Sequence, residues 1–148
     1  MSAQRKNKVL DTSIVHLCFR LELVAYTLMR IWKKEFKHTL IESFRKHVEN
    51  LREATITALR IDQDNPAEKK RYYNLAAASL DNIEFMLELM VTNQLNIISN
   101  RHYSQIALIL DEIGNSIDKL THALDKQIKD YKEVAAPQSC DNAGDQLL

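Results

Sequence analysis

The sequence predicts an all-α fold, an antiparallel up-down-up-down four-helix bundle, and three observations predict it. The chain of 148 residues holds two Gly and two Pro, too few for the many turns of a sandwich or barrel or for a Gly-rich phosphate loop. Apolar residues recur at alternating steps of three and four along four segments of about 22–30 residues, the period of helices that keep one seam against a partner. The length suits one domain, and at this size folding buries roughly 68–70% of the unfolded surface, so no disulfide or metal staple is required.

The elements follow in order. In the first segment the seam runs Leu10, Ile14, Leu17, Leu21, Val24, Leu28 and Ile31. The second runs Ile41, Phe44, Val48, Leu51, Thr55 and Ala58, and the third Tyr73, Ala76, Leu80, Ile83, Leu87 and Met90. The fourth runs Tyr103, Ile106, Leu110, Ile113, Ile117, Leu120 and Leu124, then Ile128 and Tyr131. Short connections between such segments favour antiparallel neighbours.

Boundary signals are uneven. Asp64-Asn65-Pro66 combines a capping side chain with Pro at the first helical position. Ser99-Asn100 caps the fourth helix after the polar stretch Thr92–Asn96. Lys33–Thr39 holds no Gly or Pro, so the first break is placed near Phe36–His38, where the two registers fail to join; one bent helix is the alternative. Residues 1–8 read as a basic arm, 9–134 as the bundle, and 135–148 as a disordered tail containing Pro137, Gly144 and Asp145.

Catalytic and metal chemistry finds little support. Cys18 and Cys140 form no CxxC and have no His at ligand spacing, which argues against a zinc site or a disulfide framework and suits a reducing cytoplasm. A di-iron bundle needs two Glu-x-x-His motifs and two further Glu, and Glu35-Phe-Lys-His38 is a single match. His16 and His47 lie on the first and second segments, and His102 and His122 far apart on the fourth, without a shared carboxylate pattern. With no nucleophile elbow either, we expect no enzyme, no catalytic residue, no metal and no cofactor. The N-terminus lacks the apolar run of a signal peptide, and Arg20, Glu22 and Arg30 interrupt the first hydrophobic stretch. A soluble cytoplasmic protein without a membrane contact is expected.

Twenty basic and twenty acidic residues cancel overall, yet residues 1–60 carry a net +6 and residues 61–148 a net −6. Opposite halves can attract each other in folding, or the basic half can attract a polyanion. Arg30, Lys33, Lys34, Lys37, Arg45, Lys46 and Arg52, with Trp32 and Phe36 among them, form the candidate nucleic-acid band. Cations neutralise phosphates while aromatic faces stack on unpaired bases. Glu35, Glu42, Glu49 and Glu53 interleave with that band, so a solvated mixed-charge face is the competing reading. Off-seam apolar residues, namely Phe19, Leu23 and Tyr26 on the first segment and Phe85, Met86 and Leu89 on the third, are candidate subunit contacts.

The run Leu21–Trp32, the run Leu75–Met90, and above all Tyr103–Ile117 with Glu112-Ile113-Gly114 resemble a bacterial four-helix-bundle family. It comprises proteins encoded in ribosomal-RNA intervening sequences and the accessory variability proteins of diversity-generating retroelements. The resemblance spans about residues 10–130 and is closer to the accessory branch. It implies a ring-like homopentamer without enzymatic activity, in a bacterial or phage-infected bacterial cell. That branch associates with a reverse transcriptase and a structured template RNA to support mutagenic cDNA synthesis. The intervening-sequence branch implies instead a structural or protein-interaction oligomer. Accessory members are strongly basic, whereas this chain is neutral and carries Glu84 and Glu88 on its third segment, so RNA contact shifts to the first two helices or to the partner enzyme. Close helix approach is the expected reason for Gly114, because Gly inside a helix costs about 1 kcal/mol against Ala.

Overall fold

The computed structural model describes the backbone of residues 3–147 and the side chains of residues 13–132. Four α-helices carry the chain: α1 (Ala3–Met29), α2 (Glu42–Arg60), α3 (Pro66–Val91) and α4 (Asn100–Leu147). No strand occurs among the described residues, consistent with the expected four-helix bundle. The side chains of the basic arm and of the C-terminal tail lie outside the described residues.

Each helix packs on the next, and α4 closes back onto α1. The core is the seam that the three-four spacing marks. Phe44, Val48, Leu51, Thr55 and Ala58 of α2 are buried. So are Tyr73, Ala76, Leu80, Ile83, Leu87 and Met90 of α3, and Ile106, Leu110, Ile113, Ile117, Leu120 and Leu124 of α4. Interhelical pairs fix the register. On α1 and α2 they join Cys18 to Thr55, Glu22 to Arg52 and Tyr26 to Glu49, so numbers fall on α2 as they rise on α1. Lys70 of α3 pairs with Asp125 of α4, and Arg20 of α1 lies 3.5 Å from Glu112 of α4.

The first break departs from expectation. The chain leaves the α-helix after Met29, not near Phe36–His38. Lys33 is extended (φ −59°, ψ 122°), followed by a 3-10 turn over Lys34–Phe36 and a π turn over Lys37–Ile41. A single bent helix is thereby ruled out. The turn changes which side chain enters the core: Trp32 is buried, while Ile31, expected on the seam, is 67% exposed. An uninterrupted register would have pointed Ile31 inward, and the early break rotates it out.

Tyr131, expected at the end of the fourth seam, is likewise exposed. Lys70 stands four residues into α3 and already meets Asp125, so α4 soon runs past the start of α3 and its last seam positions lose that helix as a neighbour.

The caps on either side of α3 follow the sequence. The Asn65 side chain accepts from the Glu68 backbone N–H at 3.3 Å, with Pro66 opening the helix. Ser99 Oγ accepts from the His102 N–H at 3.2 Å. Between them Asn96 takes a positive φ of 47°, which Asn tolerates better than most residues. That bend lets the Ile97 and Ile98 amides both donate to the Met90 carbonyl while their side chains enter the core. A Cβ on Gly114 would meet Leu80 Cδ2 at 3.4 Å, an ordinary van der Waals contact.

Candidate polyanion and subunit interface

The seven basic residues singled out in the sequence divide into two groups. Arg45 and Arg52 belong to ion pairs with their own chain. Arg45 Nε donates to Glu42 Oε2 at 3.2 Å and its Nη1 to Glu49 Oε1 at 3.1 Å, and Tyr26 donates its phenol to the same Glu49 oxygen at 3.3 Å. The guanidinium holds the Glu42 carboxyl below the usual range, chiefly by hydrogen bonding. Arg52 Nη1 donates to Glu22 Oε2 at 3.1 Å across α1 and α2. A guanidinium held in this way has fewer donors to offer a phosphate.

Arg30, Lys33, Lys34, Lys37 and Lys46 form the second group. All are exposed, and none joins an ion pair among the described residues. Four of them stand at the α1–α2 junction, the corner of the chain formed by the end of α1, the 3-10 turn and the start of the π turn. Lys33 Nζ also donates to the Leu95 carbonyl at 3.4 Å, which ties this corner to the α3–α4 loop at one end of the molecule. Trp32 does not join the exposed band. Its ring stands edge-on to Phe44, and its Nε1–H is buried without an acceptor among the described residues.

Of the candidate subunit contacts, Phe19, Leu23 and Phe85 are 65%, 58% and 62% exposed, and Tyr26 is also exposed. Leu89 is half-buried, whereas Met86 turns into the core of its own chain. The exposed residues lie on α1 and α3, each of which packs on α2 and α4, so the two strips occupy diagonal helices. Leu75 and Leu108 add further exposed apolar surface.

The α3–α4 side is acidic. Glu84 and Glu88 meet Asp111 and Tyr103 around a cleft of about 180 Å³. Burial, then Asp81, Asp111 and Glu88, push the Glu84 carboxyl above its ordinary range. No group of three or more His, Cys, Asp or Glu is placed to hold a metal ion among the described residues. Glu35 and His38, the single di-iron-like match, are exposed on the turns between α1 and α2. A wider groove of about 430 Å³ runs between α2 and α3, past His47, Ala54, Tyr72, Leu75 and Ser79. No described helix is long and apolar enough to cross a membrane.

Sequence reasoning missed the Glu22–Arg52 pair. Glu22 and Arg52 each follow a seam leucine, Leu21 and Leu51, and that shared register was the available signal. Glu42 and Glu49 stand at i−3 and i+4 from Arg45, spacing that pairs side chains on a helix. The chain matches no protein-family model, no curated protein and no solved structure.

Proposed function

We propose that the protein is a non-enzymatic oligomeric accessory protein of a diversity-generating retroelement, binding the reverse transcriptase and its template RNA in support of mutagenic cDNA synthesis. The observation that carries this reading is the corner of Arg30, Lys33, Lys34 and Lys37, exposed and without carboxylate partners among the described residues. The resemblance over about residues 10–130 supplies the biological setting. In this reading the bundle is antiparallel up-down-up-down and closes into a cytoplasmic ring-like homopentamer, with phosphates held at the corner and at Lys46. Arg45 and Arg52 have a smaller part, since their guanidinium groups are already bonded.

A second reading is favoured by the Glu42–Arg45–Glu49 and Glu22–Arg52 pairs, which neutralise much of the α1–α2 face. It is a structural or protein-interaction oligomer of the intervening-sequence type that does not touch nucleic acid. RNA binding across a salt series separates the two. The first reading expects log affinity to fall linearly with log salt, with a slope of roughly −3.5 per subunit if all five unpaired cations contact single-stranded phosphates. The triple change Lys33→Glu, Lys34→Glu, Lys37→Glu should abolish binding. Absence of binding by the unaltered protein at low salt would sink the RNA reading and leave the second.

A further inference from the structure

Charge and apolar surface are distributed so that one side of the molecule complements the other. Phe19, Leu23 and Tyr26 of α1 are exposed, and Arg30, Lys33 and Lys34 continue the chain just beyond them. On the diagonal helix α3, exposed Phe85 and half-buried Leu89 are one turn apart, with Glu84 and Glu88 immediately before each. Asp81 and Asp111 add to that acidic side. None of these four carboxylates is ion-paired among the described residues.

Both sets also lie toward the same end. Lys33 reaches the Leu95 carbonyl in the α3–α4 loop, and Glu88 is three residues from the end of α3. An apolar strip with cations on one helix, and an apolar strip with anions on the diagonal helix, suit a heterologous contact between copies. A two-fold contact that placed either strip against itself would set like charges together.

We infer that the α1 strip and basic corner of one copy dock on the acidic α3 strip, Phe85 with Glu84 and Glu88, of a second copy of this chain. This rests on the oligomeric reading above and names the surfaces that would carry it. It also gives net neutrality a role. In the assembled ring the α3 carboxylates of the neighbouring copy take Lys33 and Lys34, and phosphate contact falls to Lys37 and Lys46.

Sedimentation equilibrium at about 50 mM and 500 mM salt tests the contact, since exposed charges are screened within roughly 10 Å at 0.1 M. The protein should assemble at low salt and lose at least about tenfold in association constant at high salt. Glu84→Lys with Glu88→Lys, and separately Lys33→Glu with Lys34→Glu, should each give a folded monomer with unchanged helical circular dichroism. Mixing the two variants should restore association, because each then offers the charge the other lacks. Assembly that ignores salt and both charge reversals would overturn this contact and leave the oligomer standing. A protein monomeric at both salts would overturn the oligomer and the contact together.

Discussion

Trp32 stands edge-on to Phe44, with ring centroids 5.6 Å apart and planes at 71°. This pair anchors the α1–α2 junction, because burying Trp32 is what the early end of α1 achieves. T-shaped aromatic pairs add about 0.5–1.5 kcal/mol beyond the area they bury. The Nε1–H is buried with no acceptor among the described residues, and an unsatisfied buried donor costs about 1–3 kcal/mol.

Trp32→Phe should therefore be far milder than Trp32→Ala. The alanine variant loses the ring and leaves a cavity, for about 3–5 kcal/mol. The phenylalanine variant keeps an aromatic edge on Phe44 and removes the orphan donor, so its loss should stay below about 2 kcal/mol. Urea unfolding, followed by circular dichroism because Trp32 is the sole tryptophan, measures both. Equal losses would mean that the indole N–H has a partner or that the packing contributes little.

The Glu22–Arg52 pair yields a prediction that separates stability from RNA binding. Glu22 Oε1 is buried without a partner among the described residues, while Oε2 takes the Arg52 hydrogen bond. Arg52→Ala would leave a carboxylate with 14% side-chain exposure uncompensated. The Arg52 side chain is 39% exposed, so solvent screening reduces the loss to about 1–2 kcal/mol. Glu22→Gln in the same background should recover part of it. RNA affinity should fall less for Arg52→Ala than for Lys34→Ala, since Lys34 has no carboxylate to leave behind. A larger RNA defect at Arg52 than at Lys34 would place the phosphates on the α1–α2 face rather than at the corner.

The fold was legible wherever one helix kept one register. The seams of α2 and α3 were readable residue by residue, because alternating steps of three and four leave little freedom about which face turns inward. The Asn65-Pro66 start was legible for a local reason, the matching of a side-chain acceptor to an orphan N–H. The α1–α2 junction was not, because no Gly or Pro marks it and the decisive event is tertiary: Trp32 gains more by entering the core than Ile31 does. Gly114 was read as a sign of close approach, and the Leu80 contact is close without excluding a methyl group. At the site, the exposed lysines of the corner were readable from composition. The Arg45 pairs with Glu42 and Glu49 were also readable, from their spacing on one helix, whereas the loss of Arg52 to Glu22 was not, because that pair forms only when two helices meet. Met86 turned inward since α3 has neighbours on two sides, and its buried face is wider than one seam.

Cys18 provides a readout of the α1–α2 contact that needs no ligand. It is buried, and its Sγ lies 3.7 Å from Thr55 Oγ1. The Thr55 hydroxyl already donates to the Arg52 carbonyl at 2.8 Å, so the thiol is the donor in this pair. Burial, reinforced by the Glu22 charge, pushes the thiol up from 9.0 to about 11. The thiolate is the reactive form, so native Cys18 in a Cys140→Ser background should react with a thiol reagent at pH 8 only as fast as the helices open. The unfolded chain should react at once. The same shift fixes the sign of an alkaline effect. Below pH 9 both states hold the thiol proton and the group leaves stability independent of pH. Between pH 9 and 11 the unfolded chain gives up its proton while the folded one keeps it, so stability falls as pH rises, by at most about 1.4 kcal/mol per pH unit. Cys18→Ala in the Cys140→Ser background should flatten that part of the curve. If the Cys18 protein reacts as fast folded as unfolded, or if the alanine variant shows the same alkaline slope, then α1 does not pack on α2 at Thr55.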